Sequence, residues 1–583
     1  MEFTYQDQKY GKKTGFVMNI KEKNMAARRK SNNFLVQGSI LAVASIIVRV
    51  IGLIYRIPMT RIVGDEAMGS YTIAFEVYNI ALILSSYGLP IAVSKLIASR
   101  VVIKEYRNSH RIFVCSLIFA VIVGLVASIL LFIGADYFAG VLNDDQYAIL
   151  PLKILAPTIF VFSIMGVLRG FFQGKNTMIP TAVSQVLEQV VNAVVSLAAA
   201  YYLIRSFSAL DSVTSYGAAG GTLGTLVGAT VSLLFLLFVY IIYRPILKKQ
   251  IRNDRADYQD SFKTIFKLIV LTISPIILCQ TIYHINGILD NGLFMNIMKM
   301  KEVTGFDKAI FGPVADNSLY TEEMRRTLIG IYGNKYRTLV YLPVAIAASF
   351  GAAIVTSITA AKTRGMDAVI RNKAHAAIKF NMIIAIPSAV GMGVLAYPIM
   401  TMLFPASHQL DANLLKLGAV SIVFYSLSTV STAILQGVGK LRIPVINSAI
   451  SLAIHIPLIY VLLQYTPLST YSLVIGNVSF ALVVCILNWI SVEKHLEYRQ
   501  EILKTFIIPT VSAGLMGVAA YFTYLGLQYL TGSNTLSTIM SVLIAVILYL
   551  LLLVFMKGVD EEELLHLPRG GKVVRLLQKL HLL

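Results

Sequence analysis

Fourteen predominantly apolar stretches, each about as long as a membrane-crossing helix, follow one another along this chain. Their bounds are roughly 34–62, 69–97, 112–134, 150–173, 181–204, 217–243, 264–291, 328–361, 375–404, 413–436, 442–464, 470–492, 503–529 and 535–556. A helix rises ~1.5 Å per residue, so about 20 apolar residues cross a hydrocarbon core that is ~30 Å thick. Since 56% of the residues are hydrophobic and the mean hydropathy is +0.72, the sequence excludes a soluble protein. It predicts an all-α integral membrane protein with 14 transmembrane helices.

The segments between the apolar stretches alternate in charge. Every second one is rich in Lys and Arg, such as 98–111, 244–263 and 362–374, whereas the others are poor in these residues. Basic loops remain on the cytoplasmic side of a membrane. The net charge of +20 is therefore a topology signal, and both termini are predicted to be cytoplasmic.

A short repeat divides the chain. Gln173-Gly174 followed by Ile179-Pro180 returns six stretches later as Gln436-Gly437 followed by Ile443-Pro444. This predicts two six-helix lobes around a central cavity plus a C-terminal helix pair, an arrangement common among alternating-access transporters. The predicted parts are a cytoplasmic basic tail (1–33), an N-lobe (34–243), a cytoplasmic linker (244–263), a C-lobe (264–492), the helix pair (493–556) and a cytoplasmic amphipathic tail (557–583).

The first stretch carries two arginines at membrane depth. Arg49 lies near its middle, and Arg56 follows seven residues later, so both project from one face of the helix. Placing an arginine at the bilayer centre costs at least ~2.5 kcal/mol. This face of the helix must therefore line a water-filled cavity or contact a partner of opposite charge. A guanidinium binds phosphate bidentately, which predicts an anion site here. A structural ion pair with a carboxylate on another helix is the alternative for Arg49.

Four further ionisable residues within the apolar stretches are candidates for the site. Glu76 has about the expected depth of Arg56, so it is a candidate for an ion pair with Arg56 or for the substrate site. Glu188 has no positive residue one turn away in its own helix, and we expect it to face a cavity. Asp290, with His284 six residues earlier, is a candidate site for coupling to an ion.

Glycines form one face of the sixth stretch. Gly220, Gly224 and Gly228 recur every four residues, a spacing that lets helix backbones approach closely. We therefore expect this face to pack against a neighbouring helix.

The sequence contains no recognisable catalytic or metal-binding motif. We find no nucleophile–base set, HExxH motif, phosphate-binding glycine loop or metal-ligand cluster. We therefore expect neither an enzyme nor a nucleic-acid-binding protein, and no cofactor.

Transport would be driven by the membrane potential or by a monovalent cation, because moving one charge across 100 mV is worth ~2.3 kcal/mol.

Four motifs resemble one known family. They are Arg49-Val-Ile-Gly-Leu-Ile-Tyr-Arg56, Tyr87-Gly-Leu-Pro-Ile-Ala-Val-Ser-Lys-Leu96, Arg169-Gly-Phe-Phe-Gln-Gly174 and Pro180-Thr-Ala-Val-Ser-Gln-Val-Leu-Glu-Gln189. With them the chain resembles the polysaccharide-exporter branch of the MOP flippase superfamily, and within it the MurJ/YtgP/SpoVB-type group of Gram-positive bacteria. The resemblance covers roughly residues 34–556.

The resemblance implies a function and a location. It implies a monomer in the bacterial cell membrane that moves an undecaprenyl-diphosphate-linked peptidoglycan precursor, lipid II, to the outer leaflet by alternating access. In this family, arginines of the first span bind the head group, so Arg49 and Arg56 are the expected counterparts. A groove along spans thirteen and fourteen would hold the lipid tail. The alternatives are a flippase for a teichoic or capsular precursor, a cation-coupled multidrug exporter of the same superfamily, and a membrane glycosyltransferase.

The charge alternation makes a labelling prediction. A cysteine that replaces Asp144 should react with a membrane-impermeant thiol reagent from outside the cell, and one that replaces Arg252 should not. Both variants should react once the membrane is permeabilised, which serves as the control. External labelling at position 252 would contradict the predicted topology.

Overall fold

The computed structural model describes the backbone of residues 7–559, apart from 211, 255–259, 313–314, 316 and 405–406. Side chains are described from residue 40 onward, except at 42 and at scattered positions between 275 and 363. Most of the predicted amphipathic tail 557–583 lies outside the described residues. The backbone of the predicted N-terminal tail is helical from Asp7.

Helices account for 87% of the structure, and no β-strand occurs in the described part of the chain. They are α1 Asp7–Leu82, α2 Leu89–Val102, α3 Tyr106–Ile133, α4 Ile149–Gly174, α5 Ile179–Ser206, α6 Val213–Arg252, α7 Phe262–Met298, α8 Gly305–Phe311, α9 Glu322–Gly330, α10 Arg337–Thr363, α11 Asp367–Val394, α12 Ala396–Leu403, α13 Gln409–Gly418, α14 Ser421–Gly437, α15 Arg442–Tyr465, α16 Thr470–Leu496, α17 Ile508–Thr531 and α18 Asn534–Phe555. A wider π-helical turn, Ile331–Tyr336, joins α9 to α10.

Ten helices within the described residues are long and apolar enough to cross a membrane, or eleven if α13 and α14, bent by 41°, form one span. One of the ten covers 60 residues, Val43–Val102, about twice the length that a bilayer requires. Gly64 breaks this helix with φ 79° and ψ 169°, a backbone conformation that glycine adopts readily because it has no Cβ atom. The all-α membrane fold is confirmed, and the count of fourteen spans stays a prediction.

The glycine face of α6 packs against α5. A Cβ added at Gly220 would lie 2.4 Å from the Cα atom of Ala200, and one at Gly224 would lie 2.5 Å from the backbone oxygen of Asn192. At Gly228 the nearest atom would be the backbone oxygen of Glu188, 2.6 Å away. The expected packing role is confirmed. It matters for the site because the same segment of α5 carries Glu188.

The N-terminal half (α1–α6) and the C-terminal half (α7–α16) meet closely where α1 crosses α9. A Cβ at Gly69 would lie 2.0 Å from the backbone oxygen of Arg326, and one at Gly330 would lie 2.0 Å from that of Asp65. A backbone can be approached this closely only at a residue without a side chain, that is, at glycine. The two halves are therefore in backbone contact at this end, which is the outer end in the predicted topology.

Ion pairs surround this crossing. Lys335, whose side chain is 1% exposed, donates to Asp65 of α1 at 2.7 Å and to Asp411 of α13 at 2.8 Å. Arg326 of α9, 4% exposed, contacts Glu66 of α1 at 2.6 Å. We call these five residues the outer charge layer. Buried charges of this kind are tolerated only while they stay paired, so the layer holds the outer end closed.

Another carboxylate lies beside this layer. Asp145, in the segment between α3 and α4, is fully buried and lies 4.0 Å from Arg326. Burial raises the pKa of Asp145 from its ordinary value to about 6, and the charge of Arg326 and a hydrogen bond from the backbone N–H of Tyr147 oppose that rise. The N-terminal half thus contributes three acids to this closed end, and the C-terminal half contributes two bases and one acid.

The outer charge layer predicts a stability difference between two lysines. Lys335→Met should lower the free energy of unfolding by about 3 kcal/mol or more, because it leaves the buried Asp411 and the partly buried Asp65 without their cation. Lys362→Met is the matched control, since its pair with Asp367 spans 3.4 Å and is 55% and 65% exposed. It should cost under about 1 kcal/mol. Thermal or denaturant unfolding in detergent measures both, and equal losses would contradict the assignment.

Candidate functional site

A cavity of about 480 Å³ lies between the two halves. Residues of α1, α4, α5 and α6 line it from the N-terminal half, and Gly333 and α10 line it from the C-terminal half. Arg49 is exposed, whereas Lys335, Arg326 and Asp411 of the outer charge layer are buried. The cavity is therefore open toward the Arg49 end and closed at the α1–α9 crossing. In the predicted topology the open end faces the cytoplasm.

Arg49 and Arg56, the two arginines expected at membrane depth, both line this cavity. Arg56 donates a hydrogen bond to the Thr338 hydroxyl of α10 at 2.7 Å, which ties the two halves together. Among the described residues, neither Arg49 nor Arg56 forms an ion pair with a carboxylate. Within this part of the chain, two guanidinium charges in the cavity therefore have no carboxylate partner.

Glu76 also lines the cavity, but it does not pair with Arg56. Its carboxylate accepts a hydrogen bond from Arg337 of α10 at 2.5 Å, and the two side chains are 13% and 14% exposed. The expectation of a Glu76–Arg56 ion pair is wrong, because α10 places a guanidinium closer to the carboxylate. The Tyr332 and Tyr341 rings lie 5.8 and 5.4 Å from this guanidinium and provide cation–π contacts.

Glu188 faces the cavity as expected, but its carboxylate has an ion-pair partner. Arg169 of α4 donates to its carboxylate at 2.7 Å. The same guanidinium donates to the hydroxyls of Ser184 and Ser232 at 3.0 and 3.3 Å. The inference of an isolated carboxylate fails because it considered only the helix that carries Glu188. The partner comes from the preceding helix.

Asp290 and His284 do not form a pair in the structure. Asp290, 2% exposed, contacts the Nε2 atom of His455 on α15 at 2.7 Å. The other ring nitrogen of His455 lies 3.1 Å from the backbone oxygen of Gly476 on α16. Neither Asp290 nor His284 is among the residues that line the cavity. The structure therefore replaces the expected Asp290–His284 set with an Asp290–His455 pair inside the C-terminal half.

The charges of the cavity favour an anionic ligand. Glu76 is neutralised by Arg337 and Glu188 by Arg169, so the remaining positive charge belongs to Arg49 and Arg56. A planar guanidinium can donate two parallel hydrogen bonds to a phosphate, and such bonds are about twice as strong as neutral ones. The arrangement can therefore hold a phosphorylated group at membrane depth.

Sequence reasoning missed Arg169 and Arg337 as members of the site. Both were visible as charged residues inside apolar stretches, at 150–173 and 328–361. Arg169 also stands in one of the motifs that carry the family resemblance. An arginine within an apolar span is a signal for a cavity or a buried partner, and applied to every stretch it would have found both.

The Arg169–Glu188 pair predicts coupled effects. Glu188→Gln should destabilise the protein by about 1.5–3 kcal/mol, because it removes a charge-assisted hydrogen bond and leaves Arg169 unpaired. Adding Arg169→Gln should cost much less than in the wild-type background. Asp136→Asn, which breaks the exposed pair with Lys153, is the control and should cost under about 1 kcal/mol. A double-mutant cycle of unfolding free energies tests this, and simple additivity would contradict a direct pair.

Two family profiles match the chain. Residues 35–292 match the family described as polysaccharide biosynthesis protein, and residues 336–461 match the MatE family. The lipid II flippase MurJ of Bacillus subtilis (strain 168) is 25% identical over 496 residues, which cover 82% of this chain and 86% of that protein. Stage V sporulation protein B of the same organism is also 25% identical, over 93% of this chain and 99% of that protein.

Solved structures show the same fold. An inward closed structure of the lipid II flippase MurJ has a TM-score of 0.60 and 15% identity, and the match covers 88% of this chain and 97% of that chain. An inward-facing multidrug resistance MATE family transporter has a TM-score of 0.61 and 18% identity over 78% of this chain and 98% of that chain. The two family profiles, the full-length relatives and the shared fold together make this chain similar to the flippases and exporters of the MOP superfamily and support that assignment.

Proposed function

We propose that this protein flips an undecaprenyl-diphosphate-linked glycan across the membrane by alternating access, and that lipid II is its substrate. The observation that carries the proposal is the pair of unneutralised guanidiniums, Arg49 and Arg56, in a cavity between the two halves. A diphosphate brings the negative charge that this cavity lacks. The similarity to MurJ and to stage V sporulation protein B supports a lipid-linked glycan as the substrate.

The charge of the cavity separates this proposal from its rivals. A cation-coupled multidrug exporter would be expected to present free carboxylates, whereas Glu76 and Glu188 are each paired with an arginine. A flippase for a teichoic or capsular precursor would use the same diphosphate contacts, so only the glycan distinguishes it from a lipid II flippase. The N- and C-termini are proposed to be cytoplasmic, and the cavity would then open to the leaflet where such precursors are made.

Energy coupling is part of the proposal. The substrate's diphosphate is anionic, so the membrane potential, worth ~2.3 kcal/mol per charge at 100 mV, would bias its movement outward. A monovalent cation is the other candidate for coupling. The Asp290–His455 pair, buried between α7 and α15, is the group in the C-terminal half whose charge such an ion would change.

The substrate assignment is tested by rescue. Cells depleted of their lipid II flippase should regain lipid II on the outer leaflet when this protein is expressed. The same assay with a teichoic or capsular precursor and its own depleted flippase distinguishes the glycans. Rescue of only the second strain would contradict lipid II while keeping the diphosphate mechanism.

The proposed role of Arg49 in binding the diphosphate can be tested by substitution. Arg49→Ala should lower flipping by about 10- to 100-fold at equal protein level, because charge-assisted hydrogen bonds are worth about 1.5–3 kcal/mol. Arg49→Lys should stay impaired, since an ammonium keeps the charge but loses the planar fork. Arg61→Ala on the same helix is the control, because Arg61 is exposed and does not line the cavity.

The measurement is flipping in proteoliposomes, normalised to reconstituted protein. Wild-type flipping by the Arg49→Ala variant would remove Arg49 from the binding site. Rescue by Glu76→Gln is not expected, because Glu76 is held by Arg337. If such rescue occurred, Arg49 would be a structural residue.

A further inference from the structure

A second cavity, of about 630 Å³, lies between α1 and α5 and is lined by apolar side chains. Four of its residues come from α1 between Ile40 and Ile47, and five come from α5 between Ala182 and Val190. We call it the α1–α5 groove. Val43 is 55% exposed and Val183 is 43% exposed, so the groove opens at the surface of the protein rather than being sealed inside it.

The groove adjoins the charged cavity through the same two helices. On α1, Ile47 lines the groove while Val48 and Arg49 line the cavity; on α5, Leu187 lines the groove and Glu188 lines the cavity. Successive residues of a helix point about 100° apart, so one turn of each helix serves both spaces. A molecule with an anionic head and an apolar chain would find an arginine and an apolar channel within one helical turn.

We propose that the α1–α5 groove binds the first isoprene units of the substrate's polyprenyl chain, next to the diphosphate, while Arg49 and Arg56 bind the diphosphate itself. The inference rests on the proposed function. It identifies a chain-binding site that is separate from the head-group site.

The position of the groove beside the charged cavity, on the same two helices, favours this occupant. The groove carries no charged side chain, so it does not match the basic residues in segment 560–583 of the chain. A long apolar chain attached to a diphosphate matches both spaces at once. In the predicted topology the groove lies in the half of the membrane that contains the inner leaflet, where the substrate starts.

The helix pair α17–α18 is a less direct site for these first units. It packs against α11 and α12, and neither of those helices lines the charged cavity. A chain leaving a diphosphate bound at Arg49 must first pass residues of α1 or its neighbours. The distal end of a long chain could still lie along α17 and α18, so the two sites would bind different parts of one molecule.

Crosslinking on the wild-type protein tests the site directly. The probe is an undecaprenyl-diphosphate-linked sugar with a photoreactive diazirine in the isoprene unit next to the diphosphate. Crosslinks should map by mass spectrometry to residues 40–47 and 182–190. A phospholipid with a diazirine in its acyl chain is the control and should label exposed faces without this preference. Crosslinks of the probe confined to 508–555, or distributed like those of the phospholipid, would overturn the inference.

Filling the groove gives an independent measurement. Val43→Trp and Val183→Trp should each lower flipping by about tenfold, within the range expected when a packed apolar site is overfilled. Val126→Trp on α3 is the matched control, because Val126 is 51% exposed and lies outside both cavities. Binding of a sugar diphosphate without a polyprenyl chain should be unchanged in all three variants.

The two readouts separate this inference from the proposed function. If the wild-type protein neither binds the chain-free sugar diphosphate nor flips the full substrate, the proposed function fails. If it does both, and the tryptophan variants flip at the wild-type rate, only the groove assignment fails. Loss of chain-free binding in the tryptophan variants would show damage to the charged cavity and would also overturn the assignment.

Discussion

The free energy cost of placing a guanidinium in hydrocarbon determines how this structure is organised. Arginines that lie within apolar stretches must reach water, an anion or a carboxylate. Arg169 and Arg337 reach carboxylates at 2.7 and 2.5 Å, whereas Arg49 and Arg56 face the cavity and pair with no carboxylate of the described residues. Because the protein neutralises some of these charges and leaves others, the cavity gains a net positive potential at a defined place.

The paired charges also connect the two halves. Glu76–Arg337, Lys335–Asp65 and Arg326–Glu66 each join α1 to the segment from α9 to α10. All three would have to part, or find new partners, if the outer end opened. The backbone contacts at Gly69 and Gly330 would separate at the same time. On the proposed function, the cost of breaking this layer is what keeps the outer end closed until the cavity is occupied.

The sequence predicted the features that local rules govern. Apolar length predicts the membrane helices, glycines four residues apart predict the α5–α6 contact, and a spacing of seven places Arg49 and Arg56 on one face. It did not predict the charge partners. Glu76 and Arg337 are 261 residues apart, and Asp290 and His455 are 165 apart, so these pairs depend on how the helices assemble. Even Arg169 and Glu188, 19 residues apart, required knowing which face of α4 meets α5.

The division between paired and unpaired arginines has a consequence for transport. An anion bound only by Arg49 and Arg56 competes with no carboxylate among the residues that the structure describes, so its binding breaks none of the ion pairs observed in the cavity. The site therefore avoids the cost of stranding a buried charge. Release at the other side would likewise leave both guanidiniums facing water rather than requiring a partner to be restored. On the proposed function, this is why the protein can bind a diphosphate at membrane depth and still let it go.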